Sequence, residues 1–214
     1  MHIKTGTVLI LSAVLVLTGC ETMTNTQRNT ALGVGIGALA GAGIAKATGK
    51  KTGKGALIGA ALGGVGTYVW SANMERQRQE LLAATQGTGV TVARTPDNQL
   101  KLAIPADVSF DSSSAYIKSQ FRPVLNSFAS SLVRNPGTHV VIIGHTDSTG
   151  GPHINDPLSL QRANATRDYI FSRGVQGARI QTEGRGAREP IASNDTSWGR
   201  SKNRRVEVFV AEPQ

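Results

Sequence analysis

The chain has 214 residues, with 23 Lys and Arg against 14 Asp and Glu, for a formal net charge of +9. A single cysteine excludes an intramolecular disulfide framework and any multi-cysteine metal site, and 5% aromatic residues beside 25 glycines argue against a large aromatic-rich enzyme core. The charge divides as +1 over residues 1–19, +4 over 20–89 and +4 over 90–214, so no segment is basic enough to demand nucleic acid.

Residues 1–19 carry an export pattern. Lys4 gives the positive start, residues 8–17 form an apolar run, and Thr18-Gly19 places small residues before Cys20. The run is about half the roughly 20 residues a membrane-spanning helix needs. Leu17-Thr18-Gly19-Cys20 resembles the bacterial lipobox, in which the cysteine thiol is acylated and becomes the first residue after cleavage. Several acyl chains on Cys20 would hold a protein on a membrane where one chain would not. In lipoprotein sorting an Asp at the next position implies inner-membrane retention, and Glu21 stands there instead, which implies the outer membrane.

After a short tether at 20–29, residues 30–71 repeat one idea twice. Gly33, Gly37 and Gly41 recur every four residues, as do Gly55, Gly59 and Gly63, each triplet within an apolar stretch. A four-residue glycine period predicts a helix with a smooth face, the device by which small-xxx-small helices pack closely in membranes. The turn between the two helices falls at 48–53, and with Lys46 and Lys54 it gathers four lysines suited to anionic headgroups. Membrane insertion, an oligomeric or protein partner, and a flexible tether all remain open for this hairpin. The run from Gly33 to Ala38 fits a dinucleotide fingerprint but follows no strand and lacks the acidic residue about 20 positions on. Residues 72–89 are polar, charged and helix-prone, and read as a linker.

Residues 90–214 are enough for one domain. Strands at 90–94 and 99–104 alternate apolar and polar residues around the turn Pro96-Asp97-Asn98. Ile117, Phe121, Val124, Phe128 and Leu132 fall at helical spacing, with Ser119 as the expected N-cap and Asn135-Pro136-Gly137 as the stop. A β-branched strand follows at 139–143. Asp156-Pro157 reads as the start of a second helix that runs to Gly174, and strands at 179–183 and 205–210 close the series. The order β-β-α-β-α-β-β predicts an α+β fold with helices on one face of a mixed sheet.

The segment 144–162 carries the most chemistry. Residues 144–151 (GHTDSTGG) leave the third strand as a polar glycine loop, with Asn155, Leu158 and Arg162 on the helix that follows. Arg162 offers a bidentate partner for a carboxylate, and Asp147 offers an acceptor for an ammonium. Together they suit a ligand that is itself an amino-acid headgroup. An internal Asp147–Arg162 salt bridge fits the same residues equally well.

Phe110-Asp111-Ser112-Ser113-Ser114-Ala115, then GHTDSTG at 144–150, then Asn155-x-x-Leu158-Ser159-x-x-Arg162-Ala163, then Asn203-Arg204-Arg205-Val206-Glu207 are similar in kind and order to the motifs of the OmpA C-terminal peptidoglycan-binding domain. That resemblance covers about residues 100–212. It implies that Asp147 and Arg162 grip the diaminopimelate of a peptidoglycan stem peptide. It further implies pocket positions at Asn155 and Leu158, a ligand-facing loop at Phe110, Asp111 and Ser112, and a second arginine at Arg205.

Other constellations weigh less. His145, Asp147 and His153 share one loop region with no fourth partner for a metal. No GxSxG or catalytic cysteine is present, and Glu183, Glu189 and Asp195 show no pairing for glycosidase work. Arg200, Lys202, Arg204 and Arg205 form a basic cluster that reads as a solvated face or a contact with anionic wall or lipid, and Trp198 reads as a packing residue. The expectation is a binding protein without cofactor, metal or enzymatic activity. It is an outer-membrane lipoprotein, facing the periplasm and holding the wall non-covalently. The alternative is an envelope signalling or assembly adaptor whose glycine zipper recruits a protein partner.

Overall fold

The computed structural model describes residues 68–213, so Cys20 and the glycine triplets lie outside the described residues. In chain order the elements are α1 (Ala72–Ala84), β1 (Thr91–Arg94), β2 (Leu100–Pro105), α2 (Ala106–Ser109), α3 (Arg122–Arg134), β3 (His139–His145), α4 (Pro152–Phe171), β4 (Ile180–Gly184), α5 (Ser197–Asn203) and β5 (Arg205–Ala211). Among the described residues no helix is long and apolar enough to cross a membrane.

The five strands form one sheet in the order β1-β2-β5-β3-β4. β1–β2, β2–β5 and β5–β3 pair antiparallel, whereas β3–β4 is parallel because α4 carries the chain back across the sheet. The five strands, the two long helices between them and the mixed sheet are thus as the sequence predicts, while α1, α2 and α5 are additions to the predicted order. Period-2 alternation sets the faces. Leu100, Leu102 and Ile104 of β2, Val140 and Ile142 of β3, and Val206, Val208 and Val210 of β5 pack in one core with Phe128 and Leu132 of α3 and Ala163 and Ile170 of α4. Val141, Ile143 and Phe209 point to the opposite face and form a separate small cluster.

The segment read as a linker is different. Ser71 Oγ accepts the N–H of Met74 and caps α1, and Met74, Gln77 and Leu81 are buried. Met74 and Leu81 join the main core. The stripe was hard to read because only two of its positions are apolar and Gln77 sits between them. The folded unit therefore begins well before residue 90. Val69 N–H donates to Glu212 O at 3.0 Å, and Tyr68 bridges Pro213, so the entering chain lies beside the leaving one.

Two helix starts also move. α3 opens after a 3-10 turn at Ser119–Phe121, with Phe121 rather than Ser119 at the N-cap and Pro123 in the first turn. α4 starts at Pro152 with Gly151 as N-cap, so Pro157 lies inside the helix and Asp156 is not its cap. Two things draw the start upstream. Pro152 brings a preset helical φ, and the buried Asn155 side chain donates to the carbonyls of Asp147 and Gly150 at 3.2 Å, closing the preceding loop onto the first turn.

α4 sits unusually close to the sheet. A Cβ on Gly144 would lie 1.9 Å from Ser159 O, and one on Gly184 would lie 2.6 Å from Leu160 N. Ser159 Oγ accepts Gly186 N–H at 2.9 Å and fixes the contact. This approach brings the loop after β3 against the first turns of α4.

Candidate ligand-binding site

β3 ends at His145, and Asp147 follows two residues later, almost fully buried. Its Oδ1 accepts the N–H of Thr149 at 2.8 Å, and its Oδ2 accepts Arg204 Nη1 at 2.7 Å. Arg204 uses its two other donor nitrogens on Asp107 of α2, Nε at 2.9 Å and Nη2 at 2.7 Å. One guanidinium thereby bridges two carboxylates from distant parts of the chain. Burial pushes the Asp147 carboxyl up, but Arg204 and the Thr149 N–H outweigh it and hold the group below its ordinary value. Chiefly through its hydrogen bonds to Asp107, Arg204 titrates above the ordinary arginine value.

Arg162 is 3% exposed, on the buried side of α4. Its Nε donates to Ser114 O at 2.9 Å, and its Cζ lies 5.5 Å from the centroid of the buried Phe110 ring. Among the described residues neither Nη1 nor Nη2 has a hydrogen bond, and no carboxylate pairs with the group. Burial lowers its affinity for the proton, the Asp107 field opposes that, Arg204 adds to it, and Asp147 opposes it. The site is thus a nearly dehydrated cation beside a carboxylate that already has a partner. The internal Asp147–Arg162 bridge left open by the sequence is absent, since Asp147 pairs with Arg204.

The other predicted residues separate into groups. Phe110 supports Arg162 from below, and Asn155 fastens the Asp147 loop. Leu158 is half-buried on α4, while Asp111 and Ser112 are exposed on the loop whose Ser114 carbonyl receives Arg162. Pairing of Phe110 with Ile117 closes that loop at its base.

Arg205 does not reach this cluster. Its Nε donates to Glu207 Oε1 at 2.8 Å, and its Nη1 and Nη2 donate to the carbonyls of Asn203 and Glu189. Lys101 Nζ joins the same carboxylate at 3.1 Å. Burial pushes Glu207 up, but the charges of Arg205 and Lys101 prevail and bring it to about 2. The arginine that reaches Asp147 is Arg204. His145 is buried at the end of β3 and His153 is exposed on α4, so they do not share an environment.

Sequence reasoning also missed Asp107, and it missed Asn203, whose buried amide organises the 190s loop. Asn203 Oδ1 accepts the N–H groups of Ile191 and Ala192, and its Nδ2 donates to Ala192 O and Asn194 Oδ1. Asn194 Oδ1 in turn accepts Ser148 N–H at 3.2 Å. The signal for Arg204 was present in the strand parity: residues 206, 208 and 210 face the helices, so 204 belongs to that side and 205 to the other.

The described residues thus form an α+β sheet domain with a fixed acid just after β3 and, on α4, a buried arginine whose terminal nitrogens have no hydrogen bond among the described residues. The OmpA family model matches residues 109–204, and the YMGG-like Gly-zipper model matches residues 1–75. The chain is 44% identical over 149 residues to the probable lipoprotein YiaD of Escherichia coli, covering 70% of this chain and 65% of that protein. It is 52% identical over 87 residues to the peptidoglycan-binding protein ArfA of Mycobacterium tuberculosis, covering 41% of this chain and 27% of the relative. It therefore spans less than two thirds of either relative. Among solved structures, the cell wall anchor of the T6SS from Pseudomonas aeruginosa superposes with a TM-score of 0.57 at 29% identity, over 64% of this chain and 97% of that one. The periplasmic domain of Helicobacter pylori MotB shares the fold, with a TM-score of 0.55 at 24% identity over 60% of this chain and 85% of that one.

Proposed function

We propose that this chain is an outer-membrane lipoprotein, held by acyl chains on Cys20, whose carboxy-terminal domain clips the membrane to the cell wall. The ligand is the diaminopimelate of a peptidoglycan stem peptide. Its carboxylate meets Arg162 and its ammonium meets Asp147, and no bond is made or broken. The observation that carries this reading is the Arg162 guanidinium, buried with its two terminal nitrogens lacking partners among the described residues. A buried cation without a direct ion-pair partner is costly, and a ligand carboxylate removes that cost in a bidentate geometry. Asp147 retains lone pairs beyond the two used by Thr149 and Arg204, enough for an ammonium. The names of ArfA and of the T6SS wall anchor agree in ligand class.

The experiment is co-sedimentation of the full chain, in detergent, with isolated peptidoglycan, alongside Arg162→Ala and Asp147→Ala. Wild type in the pellet with both folded variants in the supernatant supports the reading. Wild type remaining in solution overturns it.

A further inference from the structure

Trp198 is 67% exposed, the largest open fraction of any bulky apolar side chain among the described residues. The sequence reading took it for a packing residue, and the structure turns it outward. The backbone beneath it is fixed. Thr196 Oγ1 caps α5 by accepting Gly199 N–H, and Gly199 lies so near Ser193 that a Cβ would come within 1.9 Å of its carbonyl oxygen. Asn203 closes the other end of α5, and through Asn194 the same network holds the N–H of Ser148, next to Asp147. The indole is therefore displayed on a rigid mount fastened to the loop that carries the acid of the site.

Its surroundings decide what it fits. Lys202 Nζ lies 5.5 Å from the ring centroid, one helical turn away. Arg200 is directed elsewhere, donating to the carbonyls of Asn194 and Asp195. In the chain the rim is the turn just before α5, where Ser193 and Asp195 are exposed and polar, Ser193 Oγ donating to Asp195 Oδ2. A flat apolar plate with a hydrogen-bonding edge suits a ring that is itself two-sided. A pyranose has an apolar C–H face for the indole and hydroxyl or amide groups for the rim. An acyl chain would leave that rim unmatched.

We propose that Trp198 and Lys202 form a saccharide subsite that stacks one N-acetylated hexopyranose of the glycan strand. The assignment rests on the wall-binding reading above, because the stem peptide held at Asp147 and Arg162 is joined to that strand.

The test uses the full chain in detergent with three probes: peptide-free glycan strands, a soluble diaminopimelate-containing stem peptide, and vesicles of phosphatidylglycerol and phosphatidylethanolamine. Trp198→Ala, Trp198→Tyr and Arg162→Ala are compared with wild type. The expected result is that glycan strands change the indole emission of wild type, and that Trp198→Ala weakens their binding about tenfold, the scale of one lost aromatic stack. Trp198→Tyr restores most of that binding, and Trp198→Ala leaves stem-peptide binding intact. Glycan strands binding wild type and Trp198→Ala equally, or neither, overturn the proposal. Loss confined to the vesicles overturns it too and makes the surface a lipid contact. Stem-peptide binding unaffected by Arg162→Ala overturns the stem-peptide reading and leaves the glycan result standing on its own.

Discussion

Arg204 Nη1 stands 2.7 Å from Asp147 Oδ2 while the remaining donors of the same guanidinium hold Asp107. The acid of the site is thus oriented from behind by an arginine anchored to a third element. Arg204→Ala is expected to raise the Asp147 pKa and to weaken stem-peptide binding, since the carboxylate loses both its charge partner and its fixed rotamer. Carbon-13 NMR of the Asp147 carboxyl, in parallel with a binding titration, checks this. Arg205→Ala is expected to do something else. It removes the Arg205 partner of the buried Glu207, so about 3 kcal/mol of stability is lost, measured by urea denaturation, with the Asp147 pKa unchanged.

Arg162→Ala and Arg162→Lys separate charge from shape. Alanine loses one charged hydrogen bond to Ser114 O, about 2 kcal/mol, offset in part because a partnerless cation is no longer buried. A small change in melting temperature with loss of wall binding is expected. Lysine keeps the charge but cannot offer a planar fork, so it is expected to bind little better than alanine.

Acid unfolding has a defined source. Glu207 titrates at about 2 in the folded domain against 4.5 ordinarily, so its contribution is fully present above the unfolded value and lost as pH falls through the window between them. Asp147 adds a term of the same sign below about 4. Urea midpoints measured from pH 7 to pH 2 are expected to fall through this range. Glu207→Gln is expected to start lower at pH 7 and to show a shallower acid limb.

Gly144→Ala tests the seating of α4. With Ser159 O at 1.9 Å from the new Cβ, backbone has to move, and the overpacking costs about 3 kcal/mol or more. Calorimetry reads the stability, and stem-peptide binding is expected to fall alongside, because α4 carries Arg162 and Gly144 lies near the end of β3, three residues before Asp147.

Leu81→Ala tests whether α1 belongs to the domain. A fully buried leucine in the main core is expected to cost 2 to 5 kcal/mol, whereas a leucine on a free linker would cost nothing. Thermal denaturation of the full chain distinguishes the two.

The strands and the two long helices were legible because their signals are local and periodic. HVVII at 139–143 and RVEVFV at 205–210 announce themselves through β-branching and alternation. Asp147 and Arg162 were legible as a pair of opposite charges flanking a glycine loop, but their relationship was not, because Arg204 intervenes from 57 residues away. The choice between Arg204 and Arg205 turned on one step of strand parity where α5 passes into β5. The start of α4 was misplaced because Asp156-Pro157 is a strong local start signal. The competing anchor, the Asn155 amide on two loop carbonyls, exists only after the loop has folded back.

The pairing of Tyr68 and Val69 with the last residues of the chain has a mechanical meaning. Along the β3–β5 ladder, His139 faces Ala211 at the end where the chain enters, and His145 faces Arg205 at the end that leads to Asp147. Entry and site are thus separated by the length of a seven-residue strand, roughly 20 Å. Tension between them runs along β5, the central strand, flanked on both sides by antiparallel neighbours. Its ladder bonds are then loaded in shear, all at once, instead of being opened one by one, and in the anchor proposed above that direction is the line from tether to ligand.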